Sequence, residues 1–250
     1  MENGSILTTM LFFKKIGFQI SNKKCTHRVR TYVPSVHVKN DGKLEGNTIT
    51  SFTIKIPRNF NSSNINSLDK ILAQYNNIDP QTEHINFDFQ TTEFMSGELS
   101  SFIGALFEHS NAIFPNAKIS ATTSAKQIGK TKKVTDLLLK NNLLPYYISR
   151  VNRTPDKFQS TIKYSVINLS QVSFSKQDTI AISKYLDSEI YSHQQWNKNF
   201  ENNALQIDFQ SSIFEIARNT SDHSRTSKII FSGQYYPKLD ELRISIADCS

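Results

Sequence analysis

Two periodicities alternate along the first part of the chain. Thr48–Pro57 (TITSFTIKIP) switches between apolar and polar at nearly every step and stops at a proline, which predicts a half-buried strand. Leu68, Ile71, Leu72 and Tyr75 then recur at helical spacing, with Ser67 placed as an N-cap, predicting a helix over 67–75. His84–Phe89 (HINFDF) returns to strand alternation. Leu99, Phe102, Ile103, Leu106, Phe107 and Ile113 form the stripe of a helix over 96–113 that stops before Pro115. Lys118–Thr122 predicts a third strand, and Val134–Leu144 a further helix ended by Pro145. The order β-α-β-α-β-α predicts a mixed or parallel sheet covered by helices.

A polar stretch beginning at Asn152–Pro155 separates this region from a second patterned one, and the domain join is expected near residue 150. Thr161–Val172 reads as a strand or an exposed edge, and Gln177–Tyr191 as a helix. Leu205–Ser224 reads as a second helix, with Leu205, Phe209, Ile213, Ile216 and Thr220 turned inward. Lys228–Tyr236 and Glu241–Ala247 follow as two strands joined through Pro237–Asp240, which predicts a hairpin. Three parts result: a basic N-terminal segment over 1–45, an α/β domain over 46–150 and a second α/β unit over 151–250.

Composition narrows the class. With 250 residues, 38% of them hydrophobic, the chain can bury a sizeable core, and eight thinly spread glycines argue against disorder or a repeat array. Cys25 and Cys249 lack the paired spacing of a zinc site or disulfide framework, which points to a reducing cytoplasm. The run Met10–Phe13 is broken by Lys14 and Lys15, far short of the roughly 20 residues of a spanning helix, so no membrane span is expected. The six histidines show no metal-ligand spacing. The net charge of +7 is concentrated in residues 11–40 and in Lys126–Lys133. Neither patch sits in a recognisable nucleic-acid module, so both read as solvated basic surface; polyanion binding is the alternative and would show a steep salt dependence. Trp196 reads as a packing anchor between helices.

The chemistry-bearing pattern lies in Phe209–Ser224 (FQSSIFEIARNTSDHS), where Glu215, Asn219 and His223 recur every four residues and so share one helix face. A glutamate can act as general base on a water, and an asparagine amide oxygen suits a magnesium ion shared with phosphates. The hairpin then delivers a second carboxylate, Asp248, at a strand end.

Read together, Glu215–Asn219 as E-x-x-x-N, the two strands and Ile246-Ala247-Asp248-Cys249 resemble the GHKL superfamily of sensor histidine kinases, gyrase-type ATPases, Hsp90-like chaperones and anti-sigma kinases. The resemblance covers about residues 177–250. It implies an ATP and Mg2+ site in which Asn219 holds the metal and Glu215 orients or deprotonates the attacking water. Asp248 would accept from the adenine amino group, and His223 and Ser224 match a common continuation of the box. Ser250 stands where the family's D-x-G-x-G motif has its first glycine, and the family's lid lies beyond it. The unit therefore reads as an incomplete GHKL-type α/β sandwich, helices on one face of a mixed sheet. Weak or absent ATP binding is expected, together with an unpaired sheet edge prone to self-association.

The segment Ile85–Phe89, Phe94-Met95-Ser96 and the helix after Gly97 is similar to the STAS-like α/β domains found beside such ATPases, where Ser96 reads more simply as a helix cap than as a phosphorylation site. The whole reads as a cytoplasmic signalling protein with a protein partner, an ATPase or protein kinase of the GHKL type where the domain is completed. The alternative is a non-enzymatic protein-interaction module.

Overall fold

The basic N-terminal segment carries two strands that its pattern does not predict, β1 (Leu11–Gly17) and β2 (Val29–Tyr32). The computed structural model describes residues 11–17, 29–32, 51–123, 129–170, 173–193, 203–223, 228–239 and 241–248. Cys25, Cys249, Trp196, Ser224 and Ser250 lie outside the described residues, as do 126–128 of the second basic patch.

Alternation produces the strands expected in the following region. β3 (Ser51–Lys55), β5 (His84–Asp88) and β7 (Lys118–Thr122) form a parallel sheet in the order β3-β5-β7, with Ile54 opposite Phe87 and Phe87 opposite Ala121. Parallel neighbours need crossovers. α1 (Ile65–Tyr75) connects β3 to β5, and α2 (Ser100–Ile113), entered through a single 3-10 turn at Gly97–Leu99, connects β5 to β7. A two-residue parallel pair, β4 (Asn59–Phe60) with β6 (Phe94–Met95), pins the loops that precede the helices. Ile54, Ile56, Ile85, Phe87 and Phe89 bury one face of the sheet against these helices. The other face is polar and carries a cross-strand chain in which His84 Nε2 pairs with Ser120 Oγ at 2.7 Å, while Ser120 and Thr122 both donate to Asn86 Oδ1.

The next helix departs from expectation. α3 (Gly129–Lys140) stops at Lys140, Asn142 takes the left-handed conformation at φ 74°, and the short α4 (Leu143–Tyr147) holds Pro145 in its first turn. Asparagine tolerates that conformation, and a proline costs little where its missing N–H has no helical partner. The break therefore falls at Asn141–Asn142 rather than at Pro145. Ser67 and Ser96 are likewise not side-chain caps: Ser67 lies inside α1, and neither α1 nor the 3-10 turn at Gly97 has a side-chain cap bond.

The second region builds β8 (Thr161–Asn168), α5 (Lys176–Leu186) continued by a π-helical turn at Asp187–Tyr191, α6 (Asn203–His223), β9 (Lys228–Tyr236) and β10 (Glu241–Asp248). The sheet is antiparallel throughout, in the order β2-β1-β10-β9-β8. Parallel and antiparallel pairs thus segregate into separate sheets of one mixed α/β architecture. β10 has no free edge, because β1 pairs with it from Leu11 opposite Ala247 to Gly17 opposite Glu241. The outer strand β8 is bulged between Ile162 and Ser165, and its Lys163 N–H donates to Glu189 and its Tyr164 N–H to the Asn141 carbonyl. Bulges and local caps of this kind blunt an edge.

α2 is the layer that the sheets share. Its residues from Ser100 to Ser110 are buried on all sides, beyond the one-sided stripe its pattern predicts, whereas Ile113 is 44% exposed. The small residues Ser101 and Gly104 let the antiparallel sheet approach. The Ser101 N–H donates to Ser232 Oγ, and Ser101 Oγ meets Ser245 Oγ. Around the helix entry, Glu98 is 1% exposed and accepts from Ser62 Oγ and from the Tyr236 hydroxyl, with Arg243 at 3.5 Å. At the far end Lys228 forms an ion pair with Glu108, which also accepts from the Tyr147 hydroxyl. Among the described residues no helix is long and apolar enough to cross a membrane.

Candidate functional site

α6 separates its faces cleanly. Phe209, Ile213, Ala217 and Thr220 are buried against the sheet, while Glu215 and Asn219 are exposed. At about 100° per residue Glu215 stands roughly 200° around the helix from Ile213, so it points away from the sheet, with Asn219 one turn further along on the same side. His223 is the last residue of α6.

Asp248 arrives by a different route. Along β10, Leu242, Ile244 and Ile246 face α5 and α6, while Ala247 faces the α2 side. Alternation therefore sets Asp248 on the helix side, where it is 4% exposed. It is opposite Ile229, the second residue of β9. Since β9 begins five residues after α6 ends, Asp248 lies at the end of the sheet where α6 finishes. The topology gathers Asn219, His223 and Asp248 at one end, with Glu215 about 12 Å from the helix end along its axis. Glu215 and Asn219 share an open face, and Asp248 sits apart from them in the buried layer beneath.

A second polar group at the same end was not nominated from sequence. Ser175 and Asp178 make a reciprocal capping box at the start of α5. Asp178 also accepts from the Ser170 N–H at 3.0 Å, and Ser221 of α6 donates to the Ser170 carbonyl. Burial alone would raise the Asp178 carboxyl; the hydrogen bonds from Ser175 and Ser170 outweigh it and hold the group below the usual carboxylate range. The loop after β8 is thereby tied to both helices, fixing the last turn of α6 beside the strand ends. The signal was present in the sequence as Ser175-x-x-Asp178, a capping-box spacing ahead of an apolar run.

What the arrangement offers chemically is one exposed carboxylate with one exposed amide on a helix, and one desolvated carboxylate at a strand end. A buried carboxylate is sustained by donors or charge within the protein, and Asp248 has such an interaction of its own. A magnesium ion that arrives with nucleotide phosphates needs only one or two protein oxygens, and the exposed Asn219 amide offers one. Among the described residues no group of three or more His, Cys, Asp or Glu is placed to hold a metal by itself. Comparison with known proteins adds no identification: no protein family, curated protein or solved structure matches this chain.

Proposed function

We propose that this chain is a signalling or regulatory protein whose residues 151–250 form the helix-and-hairpin wall of a GHKL-type site for ATP and Mg2+, beside a STAS-like regulatory unit. The observation that carries the reading is that α6 and β10 finish at the same end of the sheet, the open face of α6 lying above the buried layer that holds Asp248. An exposed Glu215–Asn219 pair one helical turn apart ends at the same sheet terminus as a buried, helix-facing Asp248.

In this reading Asn219 binds the magnesium through its amide oxygen, and the ion neutralises charge on the phosphates when bound. Glu215, one turn back on the same open face, orients the attacking water or takes its proton. Asp248 accepts the adenine amino hydrogen in a desolvated setting, where a charged hydrogen bond discriminates most strongly against a base lacking that donor. His223 flanks the phosphate end. The order β8-α5-α6-β9-β10, with both helices on one face of the sheet, supports the reading.

The test is calorimetric titration of ATP with Mg2+ into the chain and into Asn219→Ala, Asp248→Ala and Glu215→Gln. The reading expects the first two to lose binding and the third to retain it while losing any hydrolysis. Binding indifferent to all three substitutions would leave a non-enzymatic interaction module as the better account.

A further inference from the structure

A cavity of about 440 Å3 opens between the loop leading into β8 and the π-helical turn that ends α5. Its lining is richer in polar than in apolar side chains: Arg153, Asp156, Ser188, Glu189, Ser192 and His193 line it together with Pro155, and no Phe, Tyr or Trp ring does. A site for a nucleobase or an apolar ligand would need such rings or aliphatic walls.

The charges inside decide what fits. Asp156 is occupied by its own loop, accepting from the N–H groups of Phe158, Ser160 and Thr161 and from the Thr161 hydroxyl. Arg153 donates through Nε to the Lys140 carbonyl, and Glu189 accepts from the Lys163 N–H through Oε2. Beyond these bonds Arg153 and Glu189 have no partner among the described residues, and they do not pair with one another. Both act on one buried point: burial pushes the Tyr185 hydroxyl well above its usual pKa, with the Glu189 charge adding to the rise and Arg153 opposing it. Burial also lowers the His193 pKa, against the opposing charge of Asp156, so the imidazole is neutral near pH 7. Ser188 and Ser192 direct their hydroxyl hydrogens to carbonyls of their own helix, leaving oxygen lone pairs to accept.

An anion entering this space meets Glu189 and Asp156, and a simple cation meets Arg153. Only a ligand carrying both signs answers both side chains, neither of which has an ion-pair partner among the described residues. We propose that this cavity binds a small zwitterion of the free amino-acid class, its carboxylate on the Arg153 guanidinium fork and its ammonium on Glu189, with the serine oxygens accepting further ammonium hydrogens. A π-helical turn is a common mark of a functional site, and here it places Ser188, Glu189 and the approach to Ser192 on one wall. The cavity is independent of the proposed nucleotide end. It lies where α5 finishes, whereas the Asp178 cap tied to α6 lies where α5 begins, about 15–20 Å back along the helix.

The experiment is amide-resolved NMR titration of the full chain with glycine, L-serine and γ-aminobutyrate as probes, and with acetate, methylammonium and glucose as controls. At least one zwitterion is expected to give saturable shifts at Ser188–His193, with the controls about tenfold weaker or silent. Arg153→Ala and Glu189→Gln should each weaken it about tenfold or more, while Arg153→Lys retains part of the affinity. Both side chains are solvent-accessible, so unchanged amide dispersion elsewhere verifies that the variants fold. Absence of saturable shifts up to about 10 mM for all three probes would overturn the proposal. So would equal binding of acetate, methylammonium or glucose, or affinity unchanged by either substitution.

Discussion

Gly104→Ala is the sharpest test of α2 as the layer shared by two sheets. On a free helix surface the substitution stabilises by about 1 kcal/mol, because glycine carries the greater entropy loss. At this position a Cβ would run into the hydroxyl and ring of Tyr164, which is 0% exposed. Tyr164 cannot withdraw, because Tyr146 and Tyr147 pack on it with ring centroids at 5.4 and 5.9 Å, and its hydroxyl is 2.6 Å from that of Tyr147. Overpacking of this kind costs about 1–3 kcal/mol, and a displaced hydroxyl pair adds about 1 kcal/mol. Set against the helix gain, the net loss is about 1–3 kcal/mol, or a melting temperature lower by about 3–10 °C for a chain of this size. Urea titration should show a lower midpoint with an unchanged slope. Tyr164→Ala costs about 3–5 kcal/mol by itself, and adding Gly104→Ala to it should recover part of that loss, giving a coupling energy of opposite sign to the single effects. A Gly104→Ala protein as stable as the parent, or more so, would refute the shared-layer packing.

Two further outcomes follow from the polar contacts. Lys228→Met removes the cation from Glu108, whose side chain is 9% exposed, and should cost about 1–3 kcal/mol, since Lys228 itself is partly solvated; Lys228→Met with Glu108→Gln should restore much of it in chemical denaturation. Asp178 has a folded pKa below its unfolded one, so its contribution is complete above the ordinary carboxylate value of about 3.9 and disappears as pH falls through the lowered folded value. Asp178→Asn should flatten that acid limb of a pH series of melting temperatures, and Asp178→Ala should cost about 1 kcal/mol at neutral pH.

Local pattern was legible wherever one face of an element meets water. β3, β5 and β7 alternate because one side of their sheet packs on helices and the other carries His84, Asn86 and Ser120. α6 was legible for the same reason, and so were Glu215 and Asn219, which follow from helical spacing alone. β1 was hidden because its lysines Lys14 and Lys15 interrupt the apolar run, and because its partner β10 is more than two hundred residues away in sequence. No local signal encodes such a pairing. The full burial of α2 was missed because the serines and Gly104 of its second face read as polar or neutral, although small size is what close approach requires. Glu98 and Glu108 could not be read as buried carboxylates, since the partners that permit it, Arg243, Tyr236 and Lys228, come from strands more than a hundred residues further on. Pro145 misled as a helix terminator because the break comes earlier, at an asparagine with positive φ.

The candidate site divides in the same way. The E-x-x-x-N row lies on one element, whereas the juxtaposition of Asp248 with the end of α6 depends on the length of β9 and β10 and on their register, Asp248 opposite Ile229. The Asp178 tie to Ser170 and Ser221 depends on α5 and α6 meeting at that end. Such relations are set by tertiary pairing, which short-range periodicity does not contain.

The most direct test of the account is calorimetric titration of ATP, with and without Mg2+, into the chain and into Asn219→Ala and Asp248→Ala. The account predicts weak saturable binding, with a Kd on the order of 1 mM, that is strengthened by Mg2+ and removed by either substitution, with the magnesium dependence carried by Asn219 and the preference for adenine over guanine carried by Asp248. No saturable binding up to about 10 mM ATP, or binding that neither substitution changes, would contradict it.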